Sequence, residues 1–121
     1  MAKQENYKEK SKELVKLAYK ALDDKKAEDI RIIDISEISV IADYFIIANG
    51  TNRNHVNALV DNVEEVLYKA GYTDCRKEGS NGSSWVLLDF SDVIIHIFDS
   101  ESRKYYNLER IWNDGRLVSI Q

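Results

Sequence analysis

The chain holds a single cysteine, Cys75, among 121 residues. One thiol excludes an intrachain disulfide and fits a reducing compartment. The two histidines, His55 and His96, lie far from Cys75 and from each other in sequence, so no Cys/His cluster of the usual metal-binding spacing exists. No apolar run approaches the ~20 residues that a membrane helix needs. The segment Met-Ala-Lys-Gln-Glu-Asn-Tyr-Lys-Glu at residues 1–9 is polar and carries acids, unlike a secretory signal or an organellar transit peptide. Internal repeats, linkers and composition breaks are also missing. These absences lead to the expectation of one cytoplasmic domain over residues 1–121, with one core, no metal and no membrane attachment.

What is present is an ordinary globular composition, 44% hydrophobic and 31% charged. The net charge of −4 is unevenly spread. Residues 1–29 hold eight lysines against seven acids, while the rest of the chain is clearly acidic. An acidic body is poorly suited to neutralising phosphates, so little direct nucleic-acid contact is expected. A basic protein partner suits it better.

Hydrophobic spacing sets the element order. Leu14, Leu17, Ala18, Ala21 and Leu22 recur at helical spacing and predict a first helix over 7–26. Asp29 to Ile35 reads as a strand and Ser36 to Ala42 as a turn. Asp43-Tyr44-Phe45-Ile46-Ile47-Ala48-Asn49-Gly50 is a short, nearly continuous apolar run closed by Asn-Gly, the pattern of a central strand buried on both faces. Thr51 or Asn52 can cap a second helix, whose buried stripe runs from Val56 to Ala70 and which stops at Gly71. Tyr72 to Glu78 reads as a weak strand near a sheet edge, and 79–84 as a flexible loop of small residues. Ser100 or Ser102 can cap a short last helix with Tyr105, Leu108, Ile111 and Trp112 near one side. The result is an α+β (mixed α/β) domain, with about five strands in a mixed sheet and helices packed on it.

Residues 84–98 carry the most information. They predict a hairpin with a two-residue turn at Ser91-Asp92, so that Phe90 faces Val93. Period-2 geometry then sorts two faces. Val86, Leu88, Phe90, Val93, Ile95 and Ile97 form an entirely apolar face. Trp85, Leu87, Asp89, Ile94, His96 and Phe98 form a mixed one. A core needs no Asp or His, and a plain solvent face needs no Trp, Leu or Phe. A mixed face suits contact with another protein, with aromatic anchors among a few polar groups. The alternative is that a helix covers part of it. For His96 the alternatives are donation to a nearby carbonyl or carboxylate, or a place on the partner-facing surface.

Catalytic arrangements are not supported. A two-metal nucleotidyl-transfer site needs two carboxylates one residue apart on a strand, beside a Gly-Ser loop. Gly50-Thr51 before a helix could imitate the loop, but no Asp-x-Asp or Glu-x-Asp falls on a predicted strand, and Asp89 and Asp92 flank a turn. Ser91, His96 and Asp89 on one hairpin are not a triad. Cys75 has no predicted base partner.

Taken in order, Asp43-Tyr44-Phe45-Ile46-Ile47-Ala48-Asn49-Gly50-Thr51, His55-Val56, Glu78-Gly79, Trp85-Val86-Leu87-Leu88-Asp89-Phe90, Val93 to Phe98, Arg103, Tyr106, Leu108-Glu109 and Trp112 resemble the ribosomal silencing factor family, also called Iojap-like or YbeB-like. The resemblance runs from about residue 8 to residue 113, leaving the tail 115–121 outside the shared pattern. Asn54 stands where the family commonly has Arg, with Arg53 one position earlier. The resemblance implies a fold related to nucleotidyltransferases without their activity, and no cofactor. It implies binding to the large ribosomal subunit through ribosomal protein uL-fourteen, steric blocking of small-subunit joining, and lower translation when nutrients are short. It also implies a homodimer in isolation. The alternatives are a large-subunit assembly factor and a diverged nucleotidyltransferase-type enzyme. The expected partner-binding residues are Trp85, Leu87, Asp89 and His96 on the hairpin, extended by Tyr106, Glu109 and Trp112 if the last helix lies beside it.

Overall fold

A computed structural model describes residues 2–37, 40–79, 84–106 and 116–118, with side chains described over 10–37, 40–79 and 84–103. The elements are α1 (Ala2–Asp24), β1 (Glu28–Asp34), β2 (Tyr44–Gly50), α2 (Arg53–Lys69), β3 (Arg76–Glu78), β4 (Trp85–Asp89), β5 (Val93–Asp99), α3 (Ser100–Tyr106) and β6 (Arg116–Val118). The class is α+β, as the spacing of apolar residues implies.

The six strands lie in the order β3-β4-β5-β2-β1-β6. Only the β2–β5 pair is parallel among these neighbours. Residues Phe45 to Gly50 of β2 are all buried, which explains their unbroken apolar run. The sixth strand goes beyond the expected five: Arg116–Val118 pairs antiparallel with β1, with Leu117 opposite Ile33.

Both long helices pack on one side of the sheet. Leu14, Ala18 and Leu22 of α1 and Val56, Leu59, Val63 and Leu67 of α2 meet Ile46, Ala48, Val86, Leu88, Ile95 and Ile97. Each fully buried leucine, valine or isoleucine among them contributes ~1.5–3 kcal/mol. Asn52 caps α2, its side-chain oxygen accepting from the His55 N–H at 2.8 Å. His55 also ties the helix start to the α1–β1 turn: its Nδ1 accepts from the Thr51 N–H at 2.9 Å and its Nε2 meets the Lys25 carbonyl at 2.7 Å. At the other end, Ala70 is the C-cap and Gly71 turns the chain away at φ +98°.

Three expectations need adjustment. The first helix begins at Ala2 rather than residue 7. The weak strand narrows to Arg76–Glu78, on the sheet edge. The cap of α3 is neither Ser100 nor Ser102. The Asp99 carboxylate accepts the Ser102 N–H at 2.8 Å, because a carboxylate at the strand end serves the orphan helix donors as well as a hydroxyl does. Residues 80–83 of the small-residue loop lie outside the described residues, as does 107–112 of the expected last helix.

Candidate partner-binding face

The hairpin has the expected register, with Trp85 opposite Phe98, Leu87 opposite His96 and Asp89 opposite Ile94. Phe90 donates its N–H to the Val93 carbonyl across the two-residue turn at 2.9 Å. Ser91 adopts φ 72°, and its N–H is held at 2.8 Å by the Asp89 carboxylate. That bond is a local Asx turn, which gives Asp89 a structural task besides any contact it makes.

The apolar hairpin face lies in the helix-covered core, with all six members buried. The mixed face points the other way, where neither α1 nor α2 packs. It continues across β2, because Phe98 is opposite Asn49, His96 opposite Ile47 and Ile94 opposite Phe45. Three rows therefore cross the sheet: Trp85–Phe98–Asn49, Leu87–His96–Ile47 and Asp89–Ile94–Phe45. In each row the β2 residue is more buried than the β4 residue. Trp85, Leu87 and Asp89 on β4 are half-buried. In the middle column His96 and Phe98 are buried, at 5% and 1% exposure, while Ile94 is half-buried. Ile47, Asn49 and Phe45 on β2 are buried. Ile33, Ile35, Ala42, Phe45, Ile47 and Phe98 make a second, smaller core on this side, against which Trp85 and Ile94 pack.

The aromatic side chains form one cluster. Trp85 stacks on Phe98 with ring centroids 5.0 Å apart, and Phe45 meets His96 edge-on at 5.0 Å. The Trp85 Nε1–H donates to Nδ1 of His96 at 3.1 Å. An indole nitrogen can only donate, so Nδ1 carries no proton and the imidazole is the Nε2–H tautomer. Nε2 is buried and finds no hydrogen-bond partner among the described residues. Burial pushes the imidazole down to about 4, so the ring is neutral at physiological pH. His96 therefore accepts a bond where the structural alternative expected it to donate one to a carbonyl or carboxylate, and its ring lies beneath Trp85 rather than beside it at the surface.

A polar clamp, not singled out from the sequence, fixes the start of α3. The Arg103 guanidinium, buried at 7% exposure, donates to the Asp29 carbonyl and, at 2.9 Å, to Oδ1 of Asn49. It also pairs with the Asp29 carboxylate at 3.4 Å. Asp29 sits at φ 47° in an irregularity of β1 between Glu28 and Arg31, which turns its carbonyl toward the arginine. Ser100 adds a bond from its hydroxyl to the Gly50 carbonyl at 3.0 Å, and Asn49 donates to Glu28 at 3.0 Å. Arg103 entered the sequence reading only as one residue of the family pattern; its partners come from β1 and β2, which no local spacing links to it. The clamp pins α3 against the end of the mixed face. Tyr106 ends α3, with its side chain outside the described residues; Glu109 and Trp112 lie wholly outside them.

Elsewhere, an open cleft of about 380 Å³ is lined by Glu64, Tyr68, Tyr72, Cys75 and Phe90 among others. Burial raises the Cys75 thiol to about 11 and no imidazole lines the cleft, so nothing there activates a nucleophile. No group of three or more His, Cys, Asp or Glu among the described residues is placed to hold a metal ion. Among those residues no helix is long and apolar enough to cross a membrane.

The fold and this face define a small α+β domain whose outstanding surface is an aromatic, acid-bearing sheet face. A model of the family described as "Ribosomal silencing factor during starvation" matches residues 8–121, which takes in the tail. The chain is 39% identical over 111 residues to the ribosomal silencing factor RsfS of Halalkalibacterium halodurans, covering 92% of this chain and 95% of that protein. It is 38% identical to RsfS of Bacillus subtilis, over 90% and 92% of the two chains. A mouse protein named "Mitochondrial assembly of ribosomal large subunit protein 1" is 32% identical over 104 residues, with 44% of its length matched. A crystal structure of a protein from Chromobacterium violaceum superposes with a TM-score of 0.81 at 35% identity, over 90% of each chain. The chain belongs to the ribosomal silencing factor family.

Proposed function

We propose that the protein is a non-enzymatic, cytoplasmic repressor of translation. It docks on the large ribosomal subunit through ribosomal protein uL-fourteen and excludes the small subunit by occupying its place. The observation that carries this reading is the half-exposed β4 column Trp85, Leu87 and Asp89, on the side of the sheet that α1 and α2 leave alone. Trp85 and Leu87 supply apolar anchors, and Asp89 a charge for a basic partner. Tyr106, Glu109 and Trp112 are the further partner-binding residues of this reading. No reaction is required, because a bound domain blocks docking by volume alone. The same face also serves a homodimer in isolation, so dimer and ribosome complex exclude one another.

Co-sedimentation with isolated large subunits, small subunits and joined ribosomes tests the site. Wild type is expected on large subunits only, and Trp85→Ala/Asp89→Lys is expected to lose that binding. Retained binding by the double variant would discard this face, and no binding by wild type would discard the function.

A second reading, assembly of the large subunit, is favoured by the name of the mouse relative. Precursor particles accumulating in a deletion strain, with subunit joining unaffected by the protein in vitro, would support it over silencing.

A further inference from the structure

His96 is an unusual occupant of its position. Its neighbours across the strands are Leu87 and Ile47, and its ring contacts are Phe45, Phe98 and Trp85. Every other residue of the middle column is apolar. An aliphatic or phenyl side chain there would leave no polar atom to satisfy. The imidazole instead carries a buried Nε2–H with no partner, which costs ~1–3 kcal/mol. Among the described residues its one hydrogen bond is that accepted from Trp85. A costly polar group in an apolar column, whose one bond goes to the large side chain at the column's open edge, is explained by what it does to that side chain.

We propose that His96 is a positioning residue: its Nδ1 holds the Trp85 indole in the one orientation in which the β4 column meets its partner. The proposal rests on the reading of Trp85 as a partner-contacting residue. Trp85 is half-buried on an outer part of the sheet, with Phe98 stacked at 5.0 Å on one side of its ring. Stacking fixes the plane of the indole but tolerates its flip about the Cβ–Cγ bond. The bond from Nε1 to His96 removes that freedom, because it requires the five-membered ring to point down toward β5. An anchor already held in its bound rotamer does not lose that freedom on docking.

Replacement of the ring atom by atom separates this role from general packing. The Oδ1 of an asparagine stands where Nδ1 stands, so His96→Asn keeps the acceptor. His96→Gln places its polar atoms near Nε2 and loses it, and His96→Phe keeps the stacked ring without any acceptor. Affinity for isolated large subunits would be measured for each, in wild-type and Trp85→Ala backgrounds. The Trp85 indole N–H resonance, assigned by Trp85→Phe, would be followed in parallel.

His96→Phe and His96→Gln are expected to weaken binding roughly five- to tenfold, the size of one hydrogen bond. His96→Asn is expected to recover most of that loss. In the Trp85→Ala background all three should bind alike, and the indole resonance should move in the Phe and Gln variants and return in Asn. Equal weakening in the two backgrounds, or undiminished binding by His96→Phe and His96→Gln, would overturn the proposal. If wild type itself fails to bind large subunits, the functional reading falls and the resonance alone decides: an indole signal unmoved by His96→Phe or His96→Gln overturns the positioning role. If His96→Phe does not fold, the Asn and Gln pair carries the same comparison.

Discussion

Single residues in this fold have consequences that depend on depth more than on type. His96 titrates at about 4 in the fold against an ordinary value near 6.5, because burial disfavours the charged ring. The neutral form is therefore the one the fold selects. Its stabilising contribution is fully present above about pH 6.5, declines as pH falls from there toward about 4, and is gone below it. Between about pH 7.5 and pH 4, the stability difference between wild type and His96→Phe should shift by ~3 kcal/mol in favour of the variant. Urea unfolding of both proteins across this range checks it, and a constant difference would contradict the burial account. Two glycines at positive φ among the described residues differ in the same way. At Gly71, φ +98°, an added Cβ meets nothing within 4 Å, so Gly71→Ala should cost only the ~1–2 kcal/mol of left-handed backbone. At Gly79, φ +96°, the Cβ would lie 2.8 Å from the Trp85 carbonyl, a backbone atom that cannot rotate away. Gly79→Ala should therefore cost more, ~3 kcal/mol or above, and loosen the start of β4. Thermal unfolding of the two variants side by side tests the contrast.

At the scale of elements, the buried Arg103 ties the start of α3 to β1 and β2. Arg103 serves the Asp29 carbonyl and Asn49 from Nη1 while Nη2 pairs with the Asp29 carboxylate, and a lysine has a single nitrogen for all three. Arg103→Lys should destabilise the protein by ~2 kcal/mol, since carbonyl and amide acceptors would be left buried and unmet. Hydrogen exchange should show the loss concentrated at the start of α3 and the Glu28–Arg31 irregularity. A loss spread evenly over the core would contradict the clamp. The hairpin was legible in the sequence because two uninterrupted apolar alternations meet at a two-residue turn, which leaves one register that keeps both faces consistent. The central strand β2 was legible because an apolar run of that length needs cover on both sides. Other features were hidden for physical reasons. Strand β6 is three residues long and exists through pairing with β1 far away in sequence, which no local pattern records. The α3 cap was ambiguous because Asp99, Ser100 and Ser102 are all capping types within four positions. The left-handed Asp29 was invisible because aspartate tolerates that conformation without demanding it. The faces of the candidate site followed from periodicity, but depth did not: period 2 assigns His96 and Trp85 to one face and cannot say that one lies under the other.

For the whole molecule, charge and shape act together. The acidic body beyond residue 29 and the half-exposed Trp85, Leu87 and Asp89 suit a basic protein surface. Binding to large subunits should therefore weaken as salt rises from about 0.05 to 0.3 M, mainly through slower association, because screening acts on the approach of unlike charges. Salt-independent association rates would contradict the role given to charge. The central claim is occlusion, and subunit joining tests it most directly. Large subunits would be mixed with the protein before small subunits are added, and the joined ribosomes separated on a gradient. Wild type is expected to lower the joined fraction in proportion to its occupancy of large subunits, and Trp85→Ala/Asp89→Lys to leave joining unchanged. Full joining on large subunits saturated with wild-type protein would contradict it.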